Sequence, residues 1–133
     1  MNMQVDIRQI IEARMDRFKF WRPQIEKAIR ASNYYTSFDC IVDGLLKTEL
    51  LWFENESAFV ILQVIDYDLR RDIHILIGGG NPKGLVDLES VILKFGNEIG
   101  AKLVTMICRK GLWPRLQHKG WKMTQHYVHK EII

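Results

Sequence analysis

The stretch DIHILIGGGNPKGLVDLESVILKFGNEIGAKLVTMIC, residues 72–108, decides the fold. Residues 72–77, rich in isoleucine and leucine, predict a strand, and the largely apolar stretch 102–108 predicts another. Between them lies a glycine-rich segment and then a helical pattern that ends near Gly100. Its apolar positions recur at helical spacing and mark one buried face: Leu85, Leu88, Val91, Ile92, Phe95 and Ile99. A strand, a helix of this length and a second strand form a right-handed crossover, so the two strands should be parallel neighbours.

The segment before this unit changes from helical to extended periodicity near residue 50. Residues 50–53 and 57–66 predict strands, separated from each other and from 72–77 by short polar turns. Three strands joined in this way are expected to form an antiparallel meander. The run over 58–62 is apolar at every position, so both faces of its strand should be covered.

The two ends of the chain supply helices and one further strand. The apolar stripe over 5–20 predicts a helix, and a second helix is predicted over 24–31, with Pro23 where it begins. Residues 38–46 fit either a short helix or an edge strand, while 112–119 predict a short helix ended by Gly120 and 121–132 a last strand. The fold class is therefore α+β: one domain over 1–133, a mixed sheet of meander and parallel strands with helices on both faces.

Composition excludes some classes of protein and leaves others open. No apolar run reaches the roughly 20 residues that a bilayer span requires, and no leader segment is apparent, so we expect a cytoplasmic protein without membrane contact. In that compartment Cys40 and Cys108 are expected to be reduced core thiols. Residues 102–133 carry seven basic side chains and one acidic, which fits a phosphorylated ligand, nucleic acid or an acidic partner. The alternative is that basic and acidic segments neutralise each other across the fold.

The glycine-rich segment over 78–84 is the candidate anion site. Glycines allow successive N–H groups to converge, and the following helix start adds partial positive charge, a combination that suits phosphate. No Lys-Ser or Lys-Thr follows the last glycine, so it is not a Walker loop, and the spacing does not fit a dinucleotide fingerprint. The alternative interpretation is a flexible connector that relieves crowding at the end of a strand.

The order of these elements resembles the general N-acetyltransferase (GNAT) superfamily. The resemblance covers roughly residues 50–133 and includes the stretch LQHKGWK over 116–122, where a Gly-aromatic pair, Gly120-Trp121, opens the final strand. It implies an acyl-CoA-binding protein that transfers an acetyl group to an amine. Small GNAT-like chains with eroded loops also resemble proteins of tailed bacteriophages, which implies a virion or host-cytoplasm setting.

The resemblance implies where acetyl-CoA would bind. In that family the loop before the helix reads Gln/Arg-x-x-Gly-x-Gly/Ala, and here Asn81, Gly84 and Val86 take those positions, with only Gly84 matching. Val86 puts a branched side chain where close approach favours Gly or Ala, while Lys83 adds a charge. The implied cofactor-binding residues are Leu76 and Ile77 along the pantetheine arm, and Gly78, Gly79, Gly80, Asn81, Lys83, Gly84, Leu85 and Val86 around the pyrophosphate.

The catalytic residues follow the family less closely. Its frequent general-acid tyrosine falls at Leu116, which has no proton to donate, and Tyr127 on the last strand is the candidate replacement. Asp72 and His74 precede the loop, and His74 is the preferred base because its unperturbed pKa lies near neutrality. The alternative is a half-buried strand histidine without chemistry.

Other functions remain open at this stage. The missing tyrosine and the imperfect loop fit a non-catalytic module that binds a protein partner. The basic residues near Trp113 and Trp121 fit a nucleic-acid backbone with stacking. No metal site is expected, because His126 and His129 would point to opposite faces of a strand.

Overall fold

The computed structural model describes residues 7–31, 36–108, 112–124 and 130–132, and side chains from residue 12 onward. The elements in chain order are α1 (Ile7–Ala31), α2 (Phe38–Leu46), β1 (Leu51–Glu54), β2 (Ala58–Asp66), β3 (Arg71–Gly80), α3 (Pro82–Glu98), β4 (Leu103–Met106) and α4 (Trp113–Leu116), the last continued by a 3-10 turn (Gln117–Lys119). The helix α3 and the short helix α4 before Gly120 match the sequence predictions.

The first helix corrects the prediction of two helices separated at Pro23. Residues 7–31 form one helix with Pro23 inside it. Phe18, Trp21, Ile25 and Ile29 are all buried and recur at spacings of three and four, so one apolar stripe continues across the proline. Burial of that stripe on both sides of Pro23 outweighs the single backbone hydrogen bond that proline removes.

Residues 38–46, which the sequence left open, form the helix α2. The Ser37 side chain caps it by accepting a hydrogen bond from the Cys40 N–H at 3.1 Å. The apolar positions Phe38, Ile41, Val42 and Leu45 are buried, which gives the helix one face against α1. Cys40 lies on the opposite, exposed side, so the prediction that it is a core thiol was wrong.

The sheet has the strand order β1-β2-β3-β4 and confirms the mixed architecture. β1, β2 and β3 form the antiparallel meander, and β3 pairs with β4 in parallel through the α3 crossover. Of the predicted last strand, residues 121–124 and 130–132 are not in a strand, and 125–129 lie outside the described residues.

Each face of the sheet carries its own apolar core. On one face, α1 and α2 pack over Phe59, Ile61 and Ile77. On the other, α3 packs over Val60, Leu62 and Ile73 through Leu88 and Ile92. Successive side chains of β2 point to alternate faces of the sheet, and both faces are covered by helices. Every position over 58–62 is therefore apolar. None of the helices in the described part of the chain is long and apolar enough to cross a membrane.

Glu54, at the end of β1, ties α1 to the sheet. Its carboxylate accepts hydrogen bonds from Arg17 Nε at 2.9 Å and from Trp21 Nε1 at 3.1 Å. These contacts hold the pKa of Glu54 below its usual 4.5, with the hydrogen bond from Arg17 as the largest cause. The carboxylate is therefore a better partner for α1 than a protonated or neutral group.

Glutamine at position 54 should flatten the acid dependence of stability. A lowered native pKa means that the unfolded chain takes up this proton more readily, so the stabilisation is present above the unfolded pKa and is lost as pH falls through the native one. We expect the free energy of unfolding, measured in urea between pH 6 and 3, to fall less steeply in Glu54→Gln than in the wild type. Glu56→Gln, in the same hairpin but exposed, is the matched control. Equal slopes for wild type and Glu54→Gln would show that the Arg17 contact contributes nothing.

Candidate functional site

β3 and β4 diverge part of the way along the sheet. Their parallel register runs from Asp72 opposite Leu103 to Ile75 opposite Met106, where β4 ends. β3 continues to Gly80, paired only with β2. Backbone groups of a strand alternate between its two edges, so between Leu76 and Gly80 the edge that faces away from β2 has no strand partner among the described residues. With respect to the described residues, this edge offers unpaired N–H and C=O groups beside an opening in the sheet.

A β-bulge lies at the start of the divergence. Ile61 of β2 pairs with Ile77, while the next residue, Leu62, pairs with Ile75, so Leu76 is an extra residue on β3. An extra residue bends its strand and leaves a backbone position out of the regular ladder. The Leu76 side chain is 40% exposed, in contrast to the buried Ile77 that follows it. The bulge therefore presents Leu76 at the mouth of the opening.

The three glycines lie in β3 and not in a turn, which corrects the predicted loop over 78–84. They pair with Val60, Phe59 and Ala58 of β2. A Cβ at Gly79 would lie 2.6 Å from Phe59 Cε1, and Gly80 has φ +102° with its Cβ position 2.3 Å from the Ser57 carbonyl oxygen. Close approach to β2 thus accounts for both residues. The same glycines leave this part of the open edge without side chains.

The start of α3 offers fewer free N–H groups than the sequence predicts. Asn81 is the N-cap, and its side chain accepts the Lys83 N–H at 2.8 Å. Pro82 has no N–H, and the Leu85 N–H donates to the Asn81 carbonyl at 3.0 Å. The Gly84 N–H has no acceptor in the described part of the chain. For an anion, the helix start therefore supplies its dipole and the exposed Lys83 side chain.

Gly84 is a packing residue against the β1–β2 hairpin. Asn55 Nδ2 donates to the Gly84 carbonyl at 2.9 Å, and a Cβ at Gly84 would lie 2.9 Å from the Ala58 Cβ. Close packing against the hairpin therefore accounts for a glycine at this position. Leu85 and Val86 are half-buried, and Leu85 joins the core between α3 and the sheet.

His74 lies on the α1 and α2 face of β3, two residues before the bulge. Its Nδ1 is 2.8 Å from Thr105 Oγ1 on β4, and its partner in the register on β2 is Gln63. All three side chains are half-buried, so they form a polar row across three strands at the level where the sheet begins to open. Burial lowers the pKa of His74 below 6.5. A neutral imidazole at this position can accept a proton.

Asp72, the alternative base, is closed off. It is 2% exposed, and its Oδ2 accepts a hydrogen bond from Arg70 Nε at 3.1 Å. Its Oδ1 is buried and has no hydrogen-bond partner in the part of the chain that the structure describes. Of the two side chains proposed from the sequence, His74 is the more accessible to a substrate.

Two residues of the polar row, Gln63 and Thr105, were not among the site residues predicted from the sequence. Gln63 interrupts the apolar run of β2, and Thr105 interrupts that of β4. A lone polar residue in a strand that is apolar on both faces is the signal that was available. That either residue lies beside His74 follows from the registers of β2 and β4 with β3, which the sequence does not predict.

Two further positions were considered for catalysis from the sequence, Leu116 and Tyr127. Leu116 is buried at the end of α4, consistent with a packing role. Tyr127 lies outside the described residues. Trp121 Nε1 donates to Glu89 of α3, so the segment after the 3-10 turn returns beside that helix.

A cleft on another part of the surface lies apart from the opening. This cleft, of about 390 Å³, separates the β1–β2 hairpin from α3, and none of its lining residues belongs to β3 or β4. Within the described ranges, no group of three or more His, Cys, Asp or Glu side chains is placed to hold a metal ion.

Solved structures with the same architecture include acetyltransferases. The chain is similar to an acetyltransferase of Trypanosoma brucei, with TM-score 0.60 and 10% identity over 80% of this chain and 89% of that one. A predicted acetyltransferase from Clostridium acetobutylicum, crystallised with acetyl-CoA, matches with TM-score 0.55 and 14% identity over 71% of each chain. Glucosamine-6-phosphate N-acetyltransferase from Arabidopsis thaliana matches with TM-score 0.54 and 12% identity over 72% of this chain and 77% of that one.

These similarities establish that the chain has the fold of the GNAT acetyltransferases. At identities of 10–14% they concern the fold alone. No protein-family model matches the sequence, and no curated protein matches it significantly. The resemblance to bacteriophage proteins stays a prediction.

Proposed function

We propose that this protein binds acyl-CoA along the open edge of β3 and transfers the acyl group to an amine. The observation that carries the proposal is the end of the β3–β4 pairing at Ile75 and Met106, directly followed by the bulge at Leu76. An extended chain that contains amide groups can pair with such an edge in the way that a strand would. The pantetheine arm of CoA is a chain of this kind.

In this arrangement the cofactor follows β3 toward α3. The backbone of Leu76 and Ile77 pairs with the pantetheine amides, and the side-chain-free edge from Gly78 to Gly80 allows the arm to approach closely. The pyrophosphate then lies near the start of α3, where the helix dipole and the Lys83 side chain face it. The thioester is placed at the bulge, close to the row that contains His74.

The reaction needs only direct attack. The lone pair of the amine nitrogen forms a bond to the thioester carbonyl carbon, the C–S bond breaks, and CoA leaves as a thiolate that takes a proton from solvent. The proton released by the amine passes to the neutral imidazole of His74. Holding the two reactants together is the largest contribution of the protein.

The structural neighbours agree with the two substrates. One of them was crystallised with acetyl-CoA, and another is named for acetylating the amine of glucosamine 6-phosphate. For this chain the acceptor is proposed only as a primary amine.

Acetyl-CoA binding and turnover test the proposal directly. At a concentration 100 times its dissociation constant, a ligand specific for the native state adds about 2.7 kcal/mol, which raises Tm by several degrees. We expect this shift with acetyl-CoA, together with release of free CoA when amines are added. If millimolar acetyl-CoA causes no shift in Tm and no free CoA is released, the proposed function is refuted.

The substitution Lys83→Glu should weaken acetyl-CoA binding about tenfold. The substitution reverses a charge beside the pyrophosphate, and a negative charge in the first turn also favours the helix, so lost binding would not reflect lost stability. Titration calorimetry at low salt should show the loss for acetyl-CoA and none for S-acetylpantetheine, which lacks the pyrophosphate.

The matched control for this test is Lys94→Glu. Lys94 is exposed on the same helix, 11 residues further on and therefore about 16 Å away. The Lys94→Glu variant makes the same change in net charge as Lys83→Glu. Because Lys94 is far from the proposed pyrophosphate site, this variant should leave acetyl-CoA affinity within about twofold. Equal losses in the two variants would assign the effect to net charge and not to a pyrophosphate site.

A further inference from the structure

We propose that Thr105 is a positioning residue that holds the His74 imidazole in the tautomer with its lone pair on Nε2. The inference rests on the proposed function, since it concerns the base of that reaction. Neither the order of elements nor the structural neighbours point to Thr105. It is assigned by its contact with His74 and by its place in the sheet.

The pair is anchored where the sheet is still continuous. His74 and Thr105 are register partners in the parallel β3–β4 ladder, one position before the last pair, Ile75 and Met106. Thr105 is β-branched, so its χ1 angle has few alternatives in a strand. The 2.8 Å separation of Nδ1 and Oγ1 is thus set by two backbones that hydrogen-bond to each other. The imidazole is therefore held next to the opening, on a part of β3 that is still paired with β4.

Within the described residues, the His74 ring makes its side-chain hydrogen bond with Thr105. On the neighbouring strand the Gln63 side chain is uncharged and has no hydrogen-bond partner among the described residues. On the same face of β3 the carboxylate of Asp72 accepts a hydrogen bond from Arg70. The pKa of His74 is lowered by burial, and no salt bridge of the described residues includes its ring. Its proton position is therefore governed by the hydroxyl group and not by an ion pair.

The direction of this hydrogen bond decides what His74 can do. In a neutral imidazole one nitrogen donates and the other accepts. When Nδ1–H donates to Thr105 Oγ1, the lone pair is on Nε2 and is available to an amine proton. When the hydroxyl instead donates to Nδ1, the proton is on Nε2 and the ring can serve only as a donor. The proposal commits to the first arrangement.

Two-bond ¹⁵N–¹H correlation spectra of the free protein at pH 8 read the tautomer. His74 is assigned by the signal that disappears in His74→Gln. We expect a protonated Nδ1 and an unprotonated Nε2 in the wild type and in Thr105→Ser, and a mixture of tautomers in Thr105→Val, which keeps the size and β-branching of threonine. A wild-type ring with its proton on Nε2 would overturn the proposal.

Kinetics provide the second measurement. Thr105→Val should lower kcat roughly 10- to 100-fold with an unchanged KM for acetyl-CoA, and Thr105→Ser should restore kcat to within about threefold, because only the serine keeps an acceptor for Nδ1. Unchanged kcat in Thr105→Val would overturn the positioning role. The spectra need no substrate, so failure of turnover refutes the proposed function while the tautomer still decides the role of Thr105.

Discussion

Replacing His74 by glutamine is expected to lower kcat about 100- to 1,000-fold while the affinity for acetyl-CoA stays within about twofold. A positioned general base contributes this order of acceleration, and glutamine keeps the polarity of the site but cannot take up a proton. The cofactor contacts proposed along β3 involve its backbone beyond Ile75, which the substitution leaves in place. CoA release and titration calorimetry separate the two effects.

The pH dependence of this variant carries independent information. Burial lowers the pKa of His74 below 6.5, so the neutral base persists into weakly acidic solution and is lost only as pH falls through the lowered value. In the wild type, log(kcat/KM) should therefore fall with acidification more steeply than in His74→Gln, where only the amine substrate ionises. His118→Gln, exposed on the 3-10 turn, should keep the wild-type rate and profile. Identical profiles for wild type and His74→Gln would remove His74 from the chemistry.

Alanine at position 59 should cost the fold about 3–5 kcal/mol. Phe59 is fully buried, stacks on Trp52 with ring centroids 4.9 Å apart, and lies 5.1 Å from the ring of Trp21. Removing it leaves a cavity that these rings cannot fill, and also opens space beneath Gly79 on the open edge of β3. Urea unfolding followed by tryptophan fluorescence measures the loss in the free energy of unfolding.

Phe20→Ala is the matched control for this loss. Phe20 is 63% exposed on α1, so its truncation should change the free energy of unfolding by less than about 0.5 kcal/mol. A cost below about 1 kcal/mol for Phe59→Ala would mean that the core between α1 and the sheet is not packed as described.

The order of elements was predictable from local patterns. The period of the apolar residues changes from helical to extended near residue 50 and back again after the glycines, and this change alone indicates a meander followed by a crossover. The continuity of α1 through Pro23 was not predictable, because it depends on Trp21 and Ile25 being buried by the same sheet. Local propensity at a proline favours an interruption, and tertiary packing overrides it.

The glycine-rich segment shows where sequence reasoning fails on the site. Three consecutive glycines are typical of a loop, yet here Phe59 and the Ser57 carbonyl approach them so closely that the strand runs to Gly80. The distances that require glycine come from residues about 20 positions earlier in the chain, which no local pattern reveals.

The polar row that contains His74 was only partly predictable from the sequence. His74 stood out as a titratable residue in an apolar strand, whereas its partner Thr105 is 31 positions away and is identified by the register of β3 with β4. The bulge at Leu76 has no sequence signal of its own, since Leu76 is one apolar residue among several.

The most direct test of the acyl-CoA site is a titration of the ¹⁵N-labelled protein with acetyl-CoA, followed through its backbone amide signals. Binding along the open edge should shift the amides of Leu76, Ile77 and Gly78 strongly, while those of Asp72 and Ile73, where β4 is paired with β3, shift little. Saturable shifts confined to another surface, or none at millimolar acetyl-CoA, would contradict the account.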